Sequence, residues 1–298
     1  MKTSHYLTLK LTSVFLLPAT VLAADSTIDP VKEHRSYAAN GGWMLWYPSA
    51  ADGAIIGQDV CAGWIYSGNF GWISLGEGNP GPTGHYPNDA AGAWGVNVNS
   101  EPDGVTAKLR GFAWSANVGW INFEGSGDPR VNLDTGKLTG FLWSANAGWI
   151  TLENLGGNFG PRTLYLQEGK DSDGDGLMDA WEQEVSGGLS QLKAVSDPDG
   201  DGFSACQEFT MGTDPLNPNS APGVLSISGF TSPLATIVFT SSPQRRYLLQ
   251  SSINLDFWTD ASPWFNPGPG LSTSYEFTPL PSSRVFYRIM ARLPLPQP

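Results

Sequence analysis

The residues best suited to chemistry in this chain are carboxylates set at alternate positions. In Asp171-Ser-Asp-Gly-Asp-Gly-Leu-Met-Asp-Ala-Trp-Glu182 they fall on the ligand places of a twelve-residue cation loop. Asp171, Asp173, Asp175 and Glu182 would bind directly, Leu177 through its carbonyl, and Asp179 directly or through water. Gly176 stands where such a loop must turn sharply. Asp197-Pro-Asp-Gly-Asp-Gly-Phe-Ser-Ala-Cys-Gln-Glu208 repeats the pattern with Asp197, Asp199, Asp201, the Phe203 carbonyl and Glu208. Its ninth residue is Ala205, so water is expected at that place. Carboxylates this dense repel one another unless a cation joins them, and an all-oxygen set suits a hard ion. A bidentate Glu at the last place favours Ca²⁺ over Mg²⁺. Two Ca²⁺ ions are expected.

Short helices should position the last ligand of each loop. Leu177, Trp181 and Val185 recur at spacing four, and Phe203, Cys206 and Phe209 at spacing three. Neither loop has an incoming helix: Lys170 follows a Gly-rich strand, and Asp197 follows a short polar connector. A sensor that opens a groove needs both helices. A structural clip does not, so the loops read as a clip.

Upstream, the chain repeats itself. Gly63-Trp-Ile-Tyr-Ser-Gly-Asn-Phe-Gly-Trp-Ile-Ser-Leu75 aligns with Gly111-Phe-Ala-Trp-Ser-Ala-Asn-Val-Gly-Trp-Ile-Asn-Phe123 and with Gly140-Phe-Leu-Trp-Ser-Ala-Asn-Ala-Gly-Trp-Ile-Thr-Leu152. The shared Ser-x-Asn-x-Gly-Trp-Ile puts turn formers between two alternating runs, so each copy is expected to be a β meander. Val131-Asn-Leu-Asp-Thr-Gly-Lys-Leu138 adds another strand–turn–strand. Strand parity puts Ile121 and Phe123 on one face, and Trp120, Asn122 and Glu124 on the other. Trp114, Trp120, Trp143 and Trp149 thus form an aromatic ladder on the wetter face. Two uses compete: packing one repeat onto the next, which is the expectation, or a platform for sugar rings. The repeats could stack as a solenoid or close into a barrel- or prism-like domain.

The rest of the chain bounds the function. Of 298 residues, 28 are acidic and 16 basic, for a formal charge of −12. That balance argues against nucleic acid as a partner. Asp171 to Asp214 alone holds eleven acids and one base. Gly (36) and Pro (23) are abundant, which suits short strands and tight turns rather than helical bundles. Lys2 and Lys10 precede an apolar stretch over 11–23, with Val21 and Ala23 at the −3 and −1 places, as in a secretory signal peptide. No second apolar run is long enough to span a bilayer. Gly223 to Leu293 alternates again, as in a small β sandwich. Cys61 and Cys206 leave a disulfide open, but two thiols are no framework, and buried free thiols are the favoured reading. The expected class is mainly β: signal peptide 1–23, β-meander repeats 24–168, a calcium module with two small helices 169–220, and a β sandwich 221–298.

The two loops, followed by Gly212-Thr-Asp-Pro-Leu-Asn-Pro218, resemble the thrombospondin type 3/EF-hand-like calcium repeats of secreted bacterial proteins. Arg246-Tyr-Leu-Leu-Gln-Ser-Ser-Ile-Asn-Leu-Asp-Phe-Trp258, with Val285-Phe-Tyr-Arg288, is similar to a C-terminal sandwich found after such repeats. The Trp-rich motif resembles repeats of uncharacterised function. These resemblances imply an extracellular or cell-surface, calcium-stabilised architecture, and no reaction. Catalysis is not expected, since His34 and His85 lie in no nucleophile or metal motif. Glu77, Glu124 and Glu153 are the carboxylates a glycosidase could use, but the equivalent repeat places of Glu124 and Glu153 favour a structural role. The leading reading is a structural or adhesive module with calcium stiffening the joint between two β domains. A polysaccharide or a cell-surface protein is its partner, and carbohydrate binding by the aromatic face is the alternative.

Overall fold

A computed structural model of the protein describes residues 25–81, 83–89, 93–154, 156, 159–230, 233–282 and 284–295. The signal-peptide reading of 1–23 lies outside the described residues. The chain divides into two compact units. One holds the described residues up to Gly174 together with 178–191 and Leu295; the other holds 175–177 and 192–294.

The first unit is built from hairpins that share one turn. β1 (Arg35–Ala38) pairs with β2 (Gly42–Leu45), β4 (Cys61–Ser67) with β5 (Gly71–Glu77), β7 (Thr106–Ser115) with β8 (Gly119–Asn122), and β11 (Phe141–Ser144) with β12 (Gly148–Thr151). Neighbouring hairpins also pair, β2 with β4, β5 with β7, β8 with β11, and β12 with β1, all antiparallel. Those eight strands therefore close into a barrel. β3 (Ala54–Ile56) extends the first meander beside β4. β6 (Val96–Ser100) and β9 (Arg130–Asn132) pair with β7, and β10 (Leu138–Thr139) pairs with β9. The meanders expected from the repeats are thus present, and of the two closures the structure takes the barrel.

The β1–β2 hairpin is a fourth, degenerate repeat. Tyr37-Ala-Ala-Asn-Gly-Gly-Trp-Met44 stands where the other copies carry Tyr or Trp followed by Ser-x-Asn-x-Gly-Trp-Ile. In every copy the glycine before the Trp, at Gly42, Gly71, Gly119 and Gly148, has φ between 71° and 72°. A side chain there would be strained, which fixes the residue type. The turn asparagines then link the hairpins. Asn69 Nδ2 donates to the Gly41 carbonyl (3.0 Å), Asn117 to Phe70 (2.9 Å) and Asn146 to Val118 (3.2 Å). The Asn40 backbone N–H completes the circuit to Ala147 (3.2 Å).

Alternation fills the barrel. Ala38, Met44, Ile65, Ile73, Ala113, Ile121, Leu142 and Ile150 point inward and are buried, with Phe123, Leu109 and Val131 in the same core. The residue after each turn Asn plugs one end: Gly41, Phe70, Val118 and Ala147. Sizes are matched there, because the Phe70 ring fills the space a Gly41 side chain would need. The aromatic partners take the outer wall instead. Trp120 and Trp149 are each 47% exposed, Trp143 is 42% and Trp114 is 39%. The expectation that these rings pack repeat against repeat is therefore corrected. A closed barrel buries its aliphatic face inside, so the repeats adhere through backbone pairing and the aliphatic core.

The second unit is a sandwich of two three-stranded sheets. β13 (Val224–Ser228), β14 (Ala235–Thr240) and β17 (Ser272–Phe277) form one. β16 (Thr259–Asp260), β15 (Arg246–Ser252) and β18 (Phe286–Arg292) form the other. Ile237, Phe239, Tyr247, Leu249, Phe277, Tyr287 and Ile289 make the core between them.

Candidate metal centre

Each acidic loop leads into one short helix, α1 (Asp179–Ser186) and α2 (Ala205–Met211). Among the described residues no helix runs directly into either loop; ten residues separate the end of α1 at Ser186 from Asp197. Both helices end on glycines in the left-handed region, Gly187 and Gly212. α2 starts with a capping box: Ser204 Oγ accepts from the Gln207 N–H and Gln207 Oε1 from the Ser204 N–H. Its far end is held by the buried Arg245, whose Nε donates to the Phe209 and Thr210 carbonyls at 3.2 and 3.1 Å. α1 lacks a side-chain N-cap, but its first amide donates to the Lys170 carbonyl (2.7 Å). It lies so close to the barrel unit that a Cβ on Gly84 would fall 2.2 Å from that of Ala180.

The loops gather their carboxylates. Asp171, Asp173 and Asp175 each bring one oxygen within 4.8 Å of the others, and Asp197, Asp199 and Asp201 do the same. Glycines allow it: Gly174 and Gly176 have φ of 75° and 95°, and Gly200 and Gly202 have 78° and 97°. Aspartate oxygens then tie the loop backbone. The Gly174 N–H donates to Asp171 Oδ1 (2.8 Å) and the Leu177 N–H to Asp175 Oδ1 (2.9 Å). In the second loop the Gly200 N–H donates to Asp197 Oδ1 (2.8 Å), the Asp201 N–H to Asp199 Oδ1 (3.2 Å) and the Phe203 N–H to Asp201 Oδ1 (2.9 Å).

This leaves oxygens aimed inward. Asp199 Oδ2, Asp201 Oδ2 and both oxygens of Glu208 are buried without a hydrogen-bond partner among the described residues. Burial pushes the Glu208 carboxyl up to about 7, and Asp201, Asp199 and Asp214 add to the shift while Thr213 opposes it. The buried Glu208 carboxylate, with the gathered oxygens of Asp197, Asp199 and Asp201, makes an all-oxygen donor set that fits a hard divalent cation of Ca²⁺ type. Leu177 and Phe203 hold the seventh places, where a backbone carbonyl is the ligand.

The remaining expected ligands are placed as follows. Glu182 is fully buried on α1, as Glu208 is on α2. Asp179 is also buried, and its oxygens accept from the Ser172 N–H (2.7 Å) and hydroxyl (2.5 Å), so it clasps the loop's own start. Ala205 offers no side-chain donor, and its N–H is held by the Ser196 carbonyl (2.8 Å). Both cysteines are free; Cys61 lies in the barrel core, where burial pushes its thiol up.

One connection was not readable from ligand spacing. The Ala194 N–H donates to Asp175 Oδ2 (2.9 Å), while the Ala194 carbonyl accepts from the Cys206 N–H on α2 (3.0 Å). The fifth ligand place of the first loop thus reaches the helix of the second through one residue. Thr213 and Asp214 beside Glu208 were also outside the expected set, although the Gly-Thr-Asp-Pro run after the loop pointed at them.

Residues 171–184 and 197–218 match the bacterial TSP3 repeat. Such repeats generally bind calcium and are typically extracellular. No curated protein and no solved structure matches the chain.

Proposed function

We propose that this is an exported, calcium-stabilised structural or adhesive protein of the cell surface or its surroundings. Two Ca²⁺ ions, one per loop, would set the conformation of the acidic segment that links the barrel to the sandwich along the chain. Asp171, Asp173, Asp175, the Leu177 carbonyl and Glu182 would hold the first ion. Asp197, Asp199, Asp201, the Phe203 carbonyl and Glu208 would hold the second, with water at the place of Ala205. The observation carrying this reading is the buried carboxylate of Glu208, faced by Asp199 and Asp201. Such an arrangement is costly unless a cation compensates it.

The reading is non-catalytic. Glu124 Oε1 accepts the Gly111 N–H at 2.8 Å, a strand-end support that favours a structural role for it. Calorimetric titration of the chelator-treated protein tests the calcium reading. Two binding events and a calcium-dependent rise in melting temperature are expected. Identical melting in millimolar Ca²⁺ and in EDTA would overturn it.

A further inference from the structure

The outer wall of the barrel carries a feature that neither packing nor calcium explains. In each hairpin two outward aromatics face each other across the strands: Tyr37 with Trp43, Tyr66 with Trp72, Trp114 with Trp120, and Trp143 with Trp149. Their ring centroids lie 4.7–5.3 Å apart, and the rings are steeply inclined to one another. Edge contacts of this kind fix the rings while leaving them in solvent.

What stands across each seam between hairpins narrows the ligand. Trp114 lies directly opposite Ser74, Trp143 opposite Asn122, and Tyr37 opposite Thr151. At the fourth seam Tyr66 faces Leu45. Two of the four seams therefore set a half-buried amide or hydroxyl beside an exposed ring, at Asn122 and Thr151. Both also support their own strand ends, since Asn122 Oδ1 accepts the Glu124 N–H and the Thr151 hydroxyl donates to the Glu153 carbonyl. At the third, Ser74 is buried and its hydroxyl accepts the Gly76 N–H at 3.3 Å. Asn122 and Thr151 each stand two places after the Trp of Gly-Trp-Ile. Charge adds little here: Arg110, on the same wall, pairs with Asp128 at 2.8 Å and with Glu124 at 4.0 Å. An uncharged ligand with alternating C–H and O–H groups complements such a surface. The net charge of −12 disfavours both an anionic polymer and a second copy of the chain. Barrel strands of four residues, such as β1 and β12, are also too short to cross a bilayer.

We propose that this wall is a belt of two equivalent subsites for an uncharged polysaccharide. The subsites are Trp143 with Asn122, and Tyr37 with Thr151. Each stacks one sugar unit on the ring and hydrogen-bonds it through the polar neighbour, and the Tyr66–Leu45 and Trp114–Ser74 seams do not bind. Successive hairpins sit about two strand spacings, roughly 10 Å, apart around the wall. One chain bridging both weak subsites then gains avidity that neither supplies alone. The inference deepens the adhesive reading by naming what is held, and it stands apart from the calcium sites.

Affinity electrophoresis of the chelated and the calcium-loaded protein tests it, in gels containing soluble β-glucan, xylan, galactomannan or, as the anionic control, alginate. Retardation by at least one neutral polymer is expected, equally in Ca²⁺ and EDTA. Asn122→Ala and Thr151→Ala should each weaken it about threefold to tenfold at a temperature where circular dichroism shows both variants folded, and Ser74→Ala should leave it as in wild type. Leu45→Thr should strengthen it. No retardation by any neutral polymer, retardation by alginate alone, or a mobility change traced by sedimentation to self-association would each overturn the belt. None of these would touch the calcium reading, whose own failure would appear as a missing calcium shift in melting.

Discussion

Glu208 concentrates the chemistry of the second loop in one side chain. Its carboxylate is buried among like charges, so the metal-free fold bears a cost that a cation would remove. Glu208→Gln keeps the shape and deletes the charge. In EDTA the variant should melt no lower than wild type. In Ca²⁺ its gain should fall short by about 1.4 kcal/mol at a tenfold excess over Kd, the worth of one site. Differential scanning calorimetry reads both, and a variant weakened in EDTA with a full calcium gain would make Glu208 a structural residue. Asn117 is the corresponding residue in the barrel. Asn117→Ala loses the bond to the Phe70 carbonyl and should cost about 1 kcal/mol in urea unfolding. The sequence marked Asn117 as a turn former because that property is local. Its acceptor lies 47 residues away and could not be read from the turn.

At the scale of elements, the gathering of Asp171, Asp173 and Asp175, and of Asp197, Asp199 and Asp201, was legible from alternate spacing, and the loop glycines follow from backbone geometry. The helices after the loops were legible from spacing too. The link between the loops was not, because it runs through a backbone amide that any residue could supply. Asp175→Ala tests that link. It removes a proposed ligand of the first loop and the acceptor of the Ala194 N–H. Calcium affinity should therefore fall at both sites in a titration, whereas a purely local role would leave the second site as in wild type. The hairpins were legible too, but not the fourth copy: Ala38 replaces the shared Ser, Met44 replaces the shared Ile, and Gly41 replaces a larger residue so that Phe70 can enter. With only three copies in view, the rings were assigned to packing between repeats. A ring of four closes on itself and leaves them outside.

For the whole molecule, closing the barrel requires the last hairpin to meet the first, where β12 pairs with β1 through Tyr37–Thr151 and Ala38–Ile150. The chain secures that seam from outside the strands. Ile28 bridges to Thr163, the Thr163 hydroxyl meets that of Thr27 at 2.8 Å, and Arg162 binds Asp29 at 2.6 Å and Glu33 at 2.6 Å. Burial pushes the Asp29 carboxyl up, but Arg162 and the amides of Val31 and Lys32 outweigh it and hold the group below its usual 3.8. A lowered value means the native state holds its proton less tightly than the unfolded chain. The resulting stability is present above the unfolded value and disappears as pH falls through the lower native one. Asp29→Asn should therefore cost about 1 kcal/mol at neutral pH, a figure kept small because Arg162 is one-third exposed and retains Glu33. Urea unfolding followed by tryptophan fluorescence in EDTA, from pH 7 to pH 2, checks it. The two proteins should differ at pH 7 and converge at the acid end, as wild type loses what the variant never had. A gap that stays constant to pH 2 would show that the Asp29 charge does not fasten the seam, leaving closure to strand pairing and the core.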